Sequence, residues 1–192
     1  MDEYHWDHTV LDPCRHADCP QSRPRWYCVG IRKDLGVRNV PWPPEIPLTR
    51  GCLSLIDVNA EGRRVAPCYW RMLERWGISP DTLAVVELNG AGRSYPIYGK
   101  QERKELAETQ KRAIARTDVA SCMVSKDPLP FVPKLKRHLT IPEMLRLQGF
   151  EPDSVRIPSG LTVLQVGAKL GNAMNAAVMR KLLSRLVPLV QK

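Results

Sequence analysis

A run of closely spaced prolines, NVPWPPEIP at residues 39–47, is the feature that most limits how this chain can fold. Each proline fixes φ and lacks a backbone N–H, so the run can sustain neither a helix nor a strand ladder. A second stretch, KDPLPFVPKLKRH at residues 126–138, is also interrupted by prolines and is basic. Regular helices and strands are therefore easiest to predict before residue 39 and after residue 138.

The segment between the two runs carries mixed signals. PCYWRMLERWG at residues 67–77 is a possible helix, and TLAVVEL at residues 82–88 is a short apolar run. QERKELAETQKRAIART at residues 101–117 favours a helix by propensity, although it is highly charged. No single pattern organises this part of the chain.

The clearest local signals lie near the C-terminal end. Thr140 and Glu143 have the spacing of a helix capping box, and Gly149 can end that helix in a left-handed conformation. A second helix is predicted to begin at Asn172 as its N-cap, followed by apolar residues at spacings of three and four. Near the other end, RWYCVGIR at residues 25–32 predicts a buried strand.

The charge of the chain favours a polyanionic partner. Lys and Arg number 29 against 20 Asp and Glu, which gives a formal net charge of +9. Nucleic acid is the first candidate and an anionic membrane the second. No apolar run reaches the roughly 18 residues of a membrane span, and the polar start MDEYHWDH does not resemble a signal peptide. The expectation is an intracellular protein, nuclear in a eukaryote and otherwise cytoplasmic, with no membrane partner and with reduced cysteines.

Three separated segments resemble, in order, sequence blocks of one enzyme family. PQSRPRWYCVGIR at residues 20–32, RHLTIPEMLRLQGF at 137–150 and GNAMNAAVMRKLL at 171–183 resemble the eighth, ninth and tenth blocks of the DNA cytosine-5 methyltransferases. The ninth block is the most specific match, because it extends over more than ten residues.

The resemblance implies an α/β fold, a partial S-adenosylmethionine-dependent methyltransferase domain of Rossmann-like type with an inserted, largely irregular or β target recognition lobe. Residues 1–34 would supply C-terminal strands of the catalytic domain, residues 35–136 the recognition region, and residues 137–192 the returning helices. The family's glycine-rich cofactor loop, its Pro-Cys-Gln nucleophile block and its Glu-Asn-Val block do not occur in the sequence. The chain is therefore expected to be inactive alone: either its N-terminal half is on another chain, which is then a possible partner, or its gene model is truncated.

In this family a cysteine thiolate adds to C6 of a flipped cytosine, which makes C5 nucleophilic toward the cofactor's methyl group. The resemblance implies supporting catalytic roles for Gln21, Arg23 and Arg25. Arg25 would contact the base and the nucleophile loop, Arg23 would position the backbone, and Gln21 would help to fix the loop. Alternatively, the two arginines are solvated residues that flank a strand.

The resemblance also implies a cofactor and a DNA partner. Asn172, Ala173 and Met174 match the place where the family contacts the methionine end of S-adenosylmethionine, and a helix N-terminus there would suit a carboxylate. A plain helix cap is the alternative, and Gly167 and Lys169 depart from the aromatic residue and glutamine usual in the family. Basic residues predicted to contact DNA are Arg23, Arg63, Arg64, Lys134 and Lys136.

Two further questions stay open from the sequence. Cys14, Cys19 and Cys28 with His5 and His8 could in principle form a zinc site, but paired CxxC spacing is missing, so no metal is expected. The chain could belong to a DNA cytosine-5 methyltransferase, be a DNA-binding remnant without catalysis, or be a relative that methylates tRNA cytosine.

Overall fold

The computed structural model describes residues 3–89, 112–123 and 129–190, and shows a mixed α/β chain with small sheets. The helices are α1 (Pro13–His16), α2 (Cys68–Arg75), α3 (Ile141–Leu147), α4 (Val163–Asn172) and α5 (Ala176–Val190). The strands are β1 (Tyr4–Leu11), β2 (Gln21–Ser22), β3 (Arg25–Arg32), β4 (Val85–Asn89), β5 (Arg112–Arg116), β6 (Ala120–Ser121), β7 (Phe131–Val132) and β8 (Arg137–His138).

The first strands form an antiparallel pair. β1 and β3 pair along their whole length, with Tyr4 opposite Arg32 and Leu11 opposite Arg25. The strand predicted at residues 25–32 is therefore confirmed, but its predicted burial is wrong: Tyr27 and Ile31 are buried, whereas Trp26 and Cys28 are exposed on the other face. Leu11 and Tyr27 on one face of this pair pack with Val178 and Leu182 of α5, so the C-terminal helix returns to cover the N-terminal strands.

The middle of the chain contributes short strands and irregular segments. β4 pairs with β5 and with β7, and β7 pairs with β8. The helix predicted at residues 67–77 is confirmed as α2. The helix predicted at residues 101–117 is wrong for residues 112–117, because residues 112–116 form β5 along the edge of β4 and Thr117 is a bend; residues 101–111 lie outside the described residues. Tertiary pairing there overrides the propensity of charged helix formers.

The predicted helix at residues 140–149 is confirmed in detail. Thr140 Oγ1 accepts a hydrogen bond from the Glu143 N–H, and a Glu143 carboxylate oxygen accepts one from the Thr140 N–H. Gly149 ends the helix with φ of 73°, a conformation that glycine adopts without steric cost.

The predicted start of the last helix is wrong. Asn172 is the final residue of α4, a helix that begins with a Thr162–Gln165 capping box. The following helix, α5, starts at Ala176, and the Oδ1 atom of Asn175 accepts hydrogen bonds from the N–H groups of Ala177 and Val178. The capping asparagine is therefore Asn175, and Asn172 lies in the turn between the two helices.

A core beneath the returning helices joins them to the middle of the chain. Met144, Leu147 and Val166 of α3 and α4 pack with Cys52 and Val85 from the region between the proline runs. No helix among the described residues is long and apolar enough to cross a membrane.

Candidate functional site

Arg23 is buried and bonded to the turn between α4 and α5. Only 4% of its surface is exposed, and its Nη2 donates to the carbonyl oxygens of Gly171 and Ala173 at 2.9 and 2.8 Å. Its Nη1 donates to the Cys122 Sγ and, at 3.4 Å, to the Met123 carbonyl. Burial lowers the pKa of the Arg23 guanidinium, although an arginine remains charged at neutral pH. The guanidinium therefore clamps the turn, and a phosphate contact would compete with these carbonyls.

Arg25 lies beside this clamp but is exposed. Its guanidinium donates to the Pro24 carbonyl at 2.8 Å and to the Cys122 Sγ at 3.2 Å. The two arginines thus share one sulfur atom, while only Arg25 faces solvent. An exposed planar donor next to a fixed turn can reach a substrate group.

Gln21 is completely buried, and neither atom of its amide has a hydrogen-bond partner within the described part of the chain. It belongs to β2, which pairs in parallel with β6 and so joins the first segment to the region around Cys122. The Asp12 carboxylate supports the same loop, because it accepts hydrogen bonds from the Arg23 N–H at 2.9 Å and from Ser22 at 3.2 Å. Gln21, Arg23 and Arg25 therefore belong to one loop with a fixed backbone.

The turn predicted to contact the cofactor has exposed side chains at Asn172 and Met174. A helix N-terminus is not available there, because Asn172 ends α4. The first N–H groups of α5 are already occupied, since Ala176 donates to the Gln148 carbonyl and Asn175 accepts from the next two. The helix-dipole argument for a carboxylate at Asn172 is therefore wrong.

The exposed side chains of this turn are chemically compatible with the predicted contact to the methionine end of S-adenosylmethionine. The Asn172 amide is exposed on a turn that Arg23 holds in place, and an amide can donate to a carboxylate or accept from an ammonium group. Met174 is 57% exposed beside it and offers an apolar surface. These two side chains would hold the cofactor, whereas the Ala173 carbonyl is already bonded to Arg23.

Most of the basic residues predicted to contact DNA meet at one place. Residues 63–65 run antiparallel to residues 136–138, through hydrogen bonds between Val65 and Lys136 and between His138 and Arg63. Arg63, Arg64 and Lys136 are exposed. Arg64 and Lys136 line a cleft of about 380 Å³ that also contains Glu61, Leu135 and the buried Arg137. Lys134 is exposed two residues from Lys136.

A buried ion pair supports the floor of this cleft. Arg137 donates two parallel hydrogen bonds to the Glu143 carboxylate at 2.8 and 2.9 Å, and that carboxylate also accepts from the N–H groups of Asp57 and Thr140. Burial acts to raise the pKa of Glu143, but these hydrogen bonds, above all those from Arg137, outweigh it and the pKa is lowered. The pair ties the ninth-block segment to the middle of the chain.

The cysteines differ sharply in environment. Cys14 lies in α1, where burial, together with Asp12, raises the pKa of its thiol to about 11, so it is protonated at neutral pH. Cys19 is buried against the Leu147 carbonyl, and Cys28 is exposed on β3. Residues 3–89, 112–123 and 129–190 contain no group of three or more His, Cys, Asp or Glu side chains placed to hold a metal.

Sequence reasoning missed Cys122 and Asn175. Cys122 accepts from both arginines, but an isolated cysteine between proline-broken segments gives no local signal for such a contact. Asn175 gives the same local signal for a helix cap as Asn172, because each asparagine is followed by an alanine. The choice between the two asparagines depends on tertiary contacts to α3.

The mixed α/β fold is shared with solved methyltransferase structures. The sequence matches the model of the C-5 cytosine-specific DNA methylase family over residues 1–187, and the chain belongs to that family. Members of this family depend on S-adenosylmethionine. Among curated proteins, none matches the sequence significantly.

Solved structures with the same fold include two methyltransferases of microbial eukaryotes. The chain is similar to the S. pombe Dnmt2 methyltransferase with a TM-score of 0.53 and 18% identity, over 99% of this chain and 59% of that one. It is similar to the Entamoeba histolytica methyltransferase EhMeth with a TM-score of 0.50 and 18% identity, over 96% of this chain and 55% of that one. The expected partial methyltransferase fold is confirmed, and the chain spans little more than half the length of these relatives.

Proposed function

We propose that these 192 residues are the C-terminal half of the catalytic domain of a cytosine-C5 methyltransferase that acts on DNA, and that activity also needs the N-terminal blocks of the family, which they do not contain. The observation that carries the proposal is the clamp between Arg23 and the carbonyls of Gly171 and Ala173. It joins the eighth-block segment to the tenth-block segment and leaves Arg25 exposed at their junction. Family membership supports the reaction class.

In this proposal Arg25 provides the donors that meet the flipped cytosine. Negative charge develops on the base when a thiolate adds to it, and an exposed guanidinium fixed beside the site stabilises that charge. Arg23 keeps the loop and the turn in register. Gln21, buried behind Arg23 in the same loop, packs the backbone on which both arginines depend.

S-Adenosylmethionine would supply the methyl group. Asn172 and Met174 would contact its methionine end from the turn that Arg23 holds, and Ala173 would contribute backbone geometry alone. The glycine-rich cofactor loop and the nucleophile would come from the N-terminal part of the domain, on the same polypeptide or on another. This division of the site predicts that the chain alone is inert.

The cleft lined by Arg64 and Lys136 is the proposed contact with the nucleic acid backbone. Each side chain that contacts a phosphate contributes about one unit to the slope of binding against salt concentration. Arg64→Ala and Lys136→Ala should each weaken binding of duplex DNA and reduce that slope by about one. Lys181→Ala, an exposed basic residue on α5, is the matched control and should leave the slope unchanged. Competition with tRNA shows which nucleic acid is preferred.

The experiment that tests the proposed chemistry uses both halves. Labelled methyl transfer is measured with a polypeptide that carries the Pro-Cys-Gln and Glu-Asn-Val blocks, mixed with this chain or with its Arg25 variants. Arg25→Ala should lower the transfer rate by about 100-fold or more, and Arg25→Lys should restore part of it. Equal rates for the wild type and Arg25→Ala, with association intact, would refute the assigned role.

A further inference from the structure

The cleft around Arg64 and Lys136 contains one side chain that a phosphate site does not need. Glu61 lines this cleft together with the two basic residues, and all three residues are exposed. Among the residues that the structure describes, none of these three side chains has a hydrogen bond or an ion pair. A carboxylate and two cations that share a cleft without pairing are free to bind a ligand that offers both donors and acceptors.

The segment that carries Glu61 is fixed at both ends. The buried ion pair beneath the cleft bonds both the N–H and the carbonyl of Asp57, at 2.9 and 2.6 Å. Beyond Glu61, the Arg63 carbonyl accepts a hydrogen bond from the His138 N–H at 2.8 Å. We call residues 57–65 the Glu61 loop. A loop whose backbone is held in this way loses little conformational entropy when it binds a ligand.

Gly62 lets the Glu61 loop lie close against the floor of the cleft. A Cβ added at Gly62 would lie 2.9 Å from the Arg137 Cδ and 3.1 Å from the His138 carbonyl oxygen. On the facing segment, Lys136 has φ of 52°, which is uncommon for a residue with a side chain and persists where the surrounding structure imposes it. Both sides of the cleft therefore have a defined backbone.

The chemistry of a carboxylate selects one base in the major groove of DNA. Cytosine offers an N4 amino donor there, whereas guanine offers only the acceptors O6 and N7, and thymine offers an acceptor and a methyl group. Adenine has a donor at N6, but its acceptor N7 lies beside that donor and repels a carboxylate. Because an ionised carboxylate can only accept hydrogen bonds, Glu61 matches the N4 amino group of cytosine.

We propose that Glu61 is a specificity-determining residue, which accepts a hydrogen bond from N4 of a cytosine that stays paired in the duplex, while Arg64 and Lys136 bind neighbouring phosphates. This inference rests on the proposed function, in which the cleft contacts the backbone of DNA. Phosphate contacts position a protein on the duplex, and base contacts give it a sequence preference. A carboxylate beside phosphate contacts weakens binding to every duplex by repulsion, and the bond to N4 offsets this cost at one base pair only.

Selection from a library of DNA duplexes tests this assignment with the complete chain. Duplexes with randomised positions are bound by the wild type or by a variant, and the bound fraction is sequenced. The wild type should enrich cytosine at one position, and Glu61→Ala should lose that enrichment. Glu61→Gln should enrich adenine there instead, because a side-chain amide can donate to N7 and accept from N6. Glu74→Gln, which removes an exposed carboxylate on α2, is the matched control and should select like the wild type.

A second measurement removes the donor from the DNA. In the selected duplex the enriched cytosine is replaced by 2-pyrimidinone, which lacks the amino group. This change should weaken binding by the wild type about 10-fold and binding by Glu61→Ala by less than about twofold. Urea unfolding shows that each variant is folded. Equal losses for the two proteins, or an enrichment of cytosine that Glu61→Ala retains, would overturn the proposal.

The outcomes also separate this proposal from the proposed function. Binding of duplex DNA that Arg64→Ala weakens, but without any base preference that depends on Glu61, would retain the cleft as a backbone contact and reject the role of Glu61. A cytosine preference that depends on Glu61, with no methyl transfer after addition of the family's N-terminal blocks, would retain that role and reject the reaction. No binding of duplex DNA by the wild type would overturn both.

Discussion

Arg23 and Arg25 stand two residues apart, yet the structure predicts opposite consequences for their removal. Replacing Arg23 by Met removes a buried guanidinium of which only 4% is exposed, together with its bonds to the α4–α5 turn. Replacing Arg25 by Met removes an exposed guanidinium whose partners are the Pro24 carbonyl and a shared sulfur. The two variants change the same type of side chain on one loop, so each is the control for the other.

The magnitude for Arg23→Met follows from the acceptors that it leaves without a donor. The bond to the Gly171 carbonyl is buried, and the bond to the Ala173 carbonyl is partly buried. A buried acceptor left unsatisfied costs about 1–3 kcal/mol, and the partly buried one falls near the lower end because water can reach it. The expected loss in the free energy of unfolding is therefore about 2–4 kcal/mol. Arg25→Met should stay within about 0.5 kcal/mol of the wild type, as exposed substitutions do.

Urea unfolding of the purified chain, followed by far-ultraviolet circular dichroism, measures both values. The unfolding midpoint of Arg23→Met should fall, with little change in the slope. Arg23→Lys should lie between Met and the wild type, because one ammonium group cannot bond both carbonyls with the geometry of a guanidinium fork. Equal losses for Arg23→Met and Arg25→Met would refute the division of roles between the two arginines.

Two further predictions concern the helices that carry the site. Glu143→Gln leaves the buried Arg137 without its anionic partner, so the free energy of unfolding at pH 7 should fall by about 3–5 kcal/mol. Because the pKa of Glu143 in the folded state is lowered from 4.5, the charged carboxylate stabilises the fold above that pH. The difference in stability between variant and wild type should therefore shrink as the pH falls below 4.5, which urea titrations at each pH measure. Gly149→Ala should cost roughly 2–5 kcal/mol, because φ is 73° and the new Cβ would lie 2.6 Å from the Ala177 N. Gly160→Ala is the control for the cost of backbone strain alone, because φ there is 90° and no atom lies within 4 Å of the added Cβ. Equal thermal midpoints for the two glycine variants would exclude the predicted clash at Gly149.

Elements defined by local signals were predictable. The helix at residues 140–149 carries its capping box, its first-turn proline and its terminal glycine within ten consecutive positions, and each has the predicted role. The strand at residues 25–32 is similar, because it is rich in the aromatic and β-branched residues that are enriched in strands.

Elements chosen by tertiary contacts were not predictable. The sequence GNAMNA offers Asn172 and Asn175 as caps, and the Gln148 carbonyl selects the later helix start by accepting from the Ala176 N–H. The strand at residues 112–116 forms because it pairs with β4, against the helix propensity of its surroundings. The Thr162–Gln165 capping box that begins α4 is a local signal in the sequence, but the two glycines of that helix lower its predicted helix propensity.

The candidate site shows the same limit. The resemblance to the family predicted that Arg23, Arg25 and the turn at residues 172–174 belong to one site. In the structure the loop that carries the two arginines does contact this turn, through Arg23. The pattern of residues alone could not show that Arg23 points inward and Arg25 outward, because that depends on the distant carbonyls of Gly171 and Ala173. The roles of these residues in methyl transfer, and of Arg63, Arg64, Lys134 and Lys136 in DNA binding, remain predictions.

The central claim is that this chain holds half of a cytosine-C5 methyltransferase site. Its most direct test is transfer of a labelled methyl group from S-adenosylmethionine to duplex DNA by the purified chain of 192 residues, alone and after addition of a polypeptide that carries the family's N-terminal blocks, the nucleophile block among them. We predict no transfer by either chain alone and transfer to C5 of cytosine by the mixture. Transfer by this chain alone, or none by a mixture in which the two chains are associated, would contradict the account.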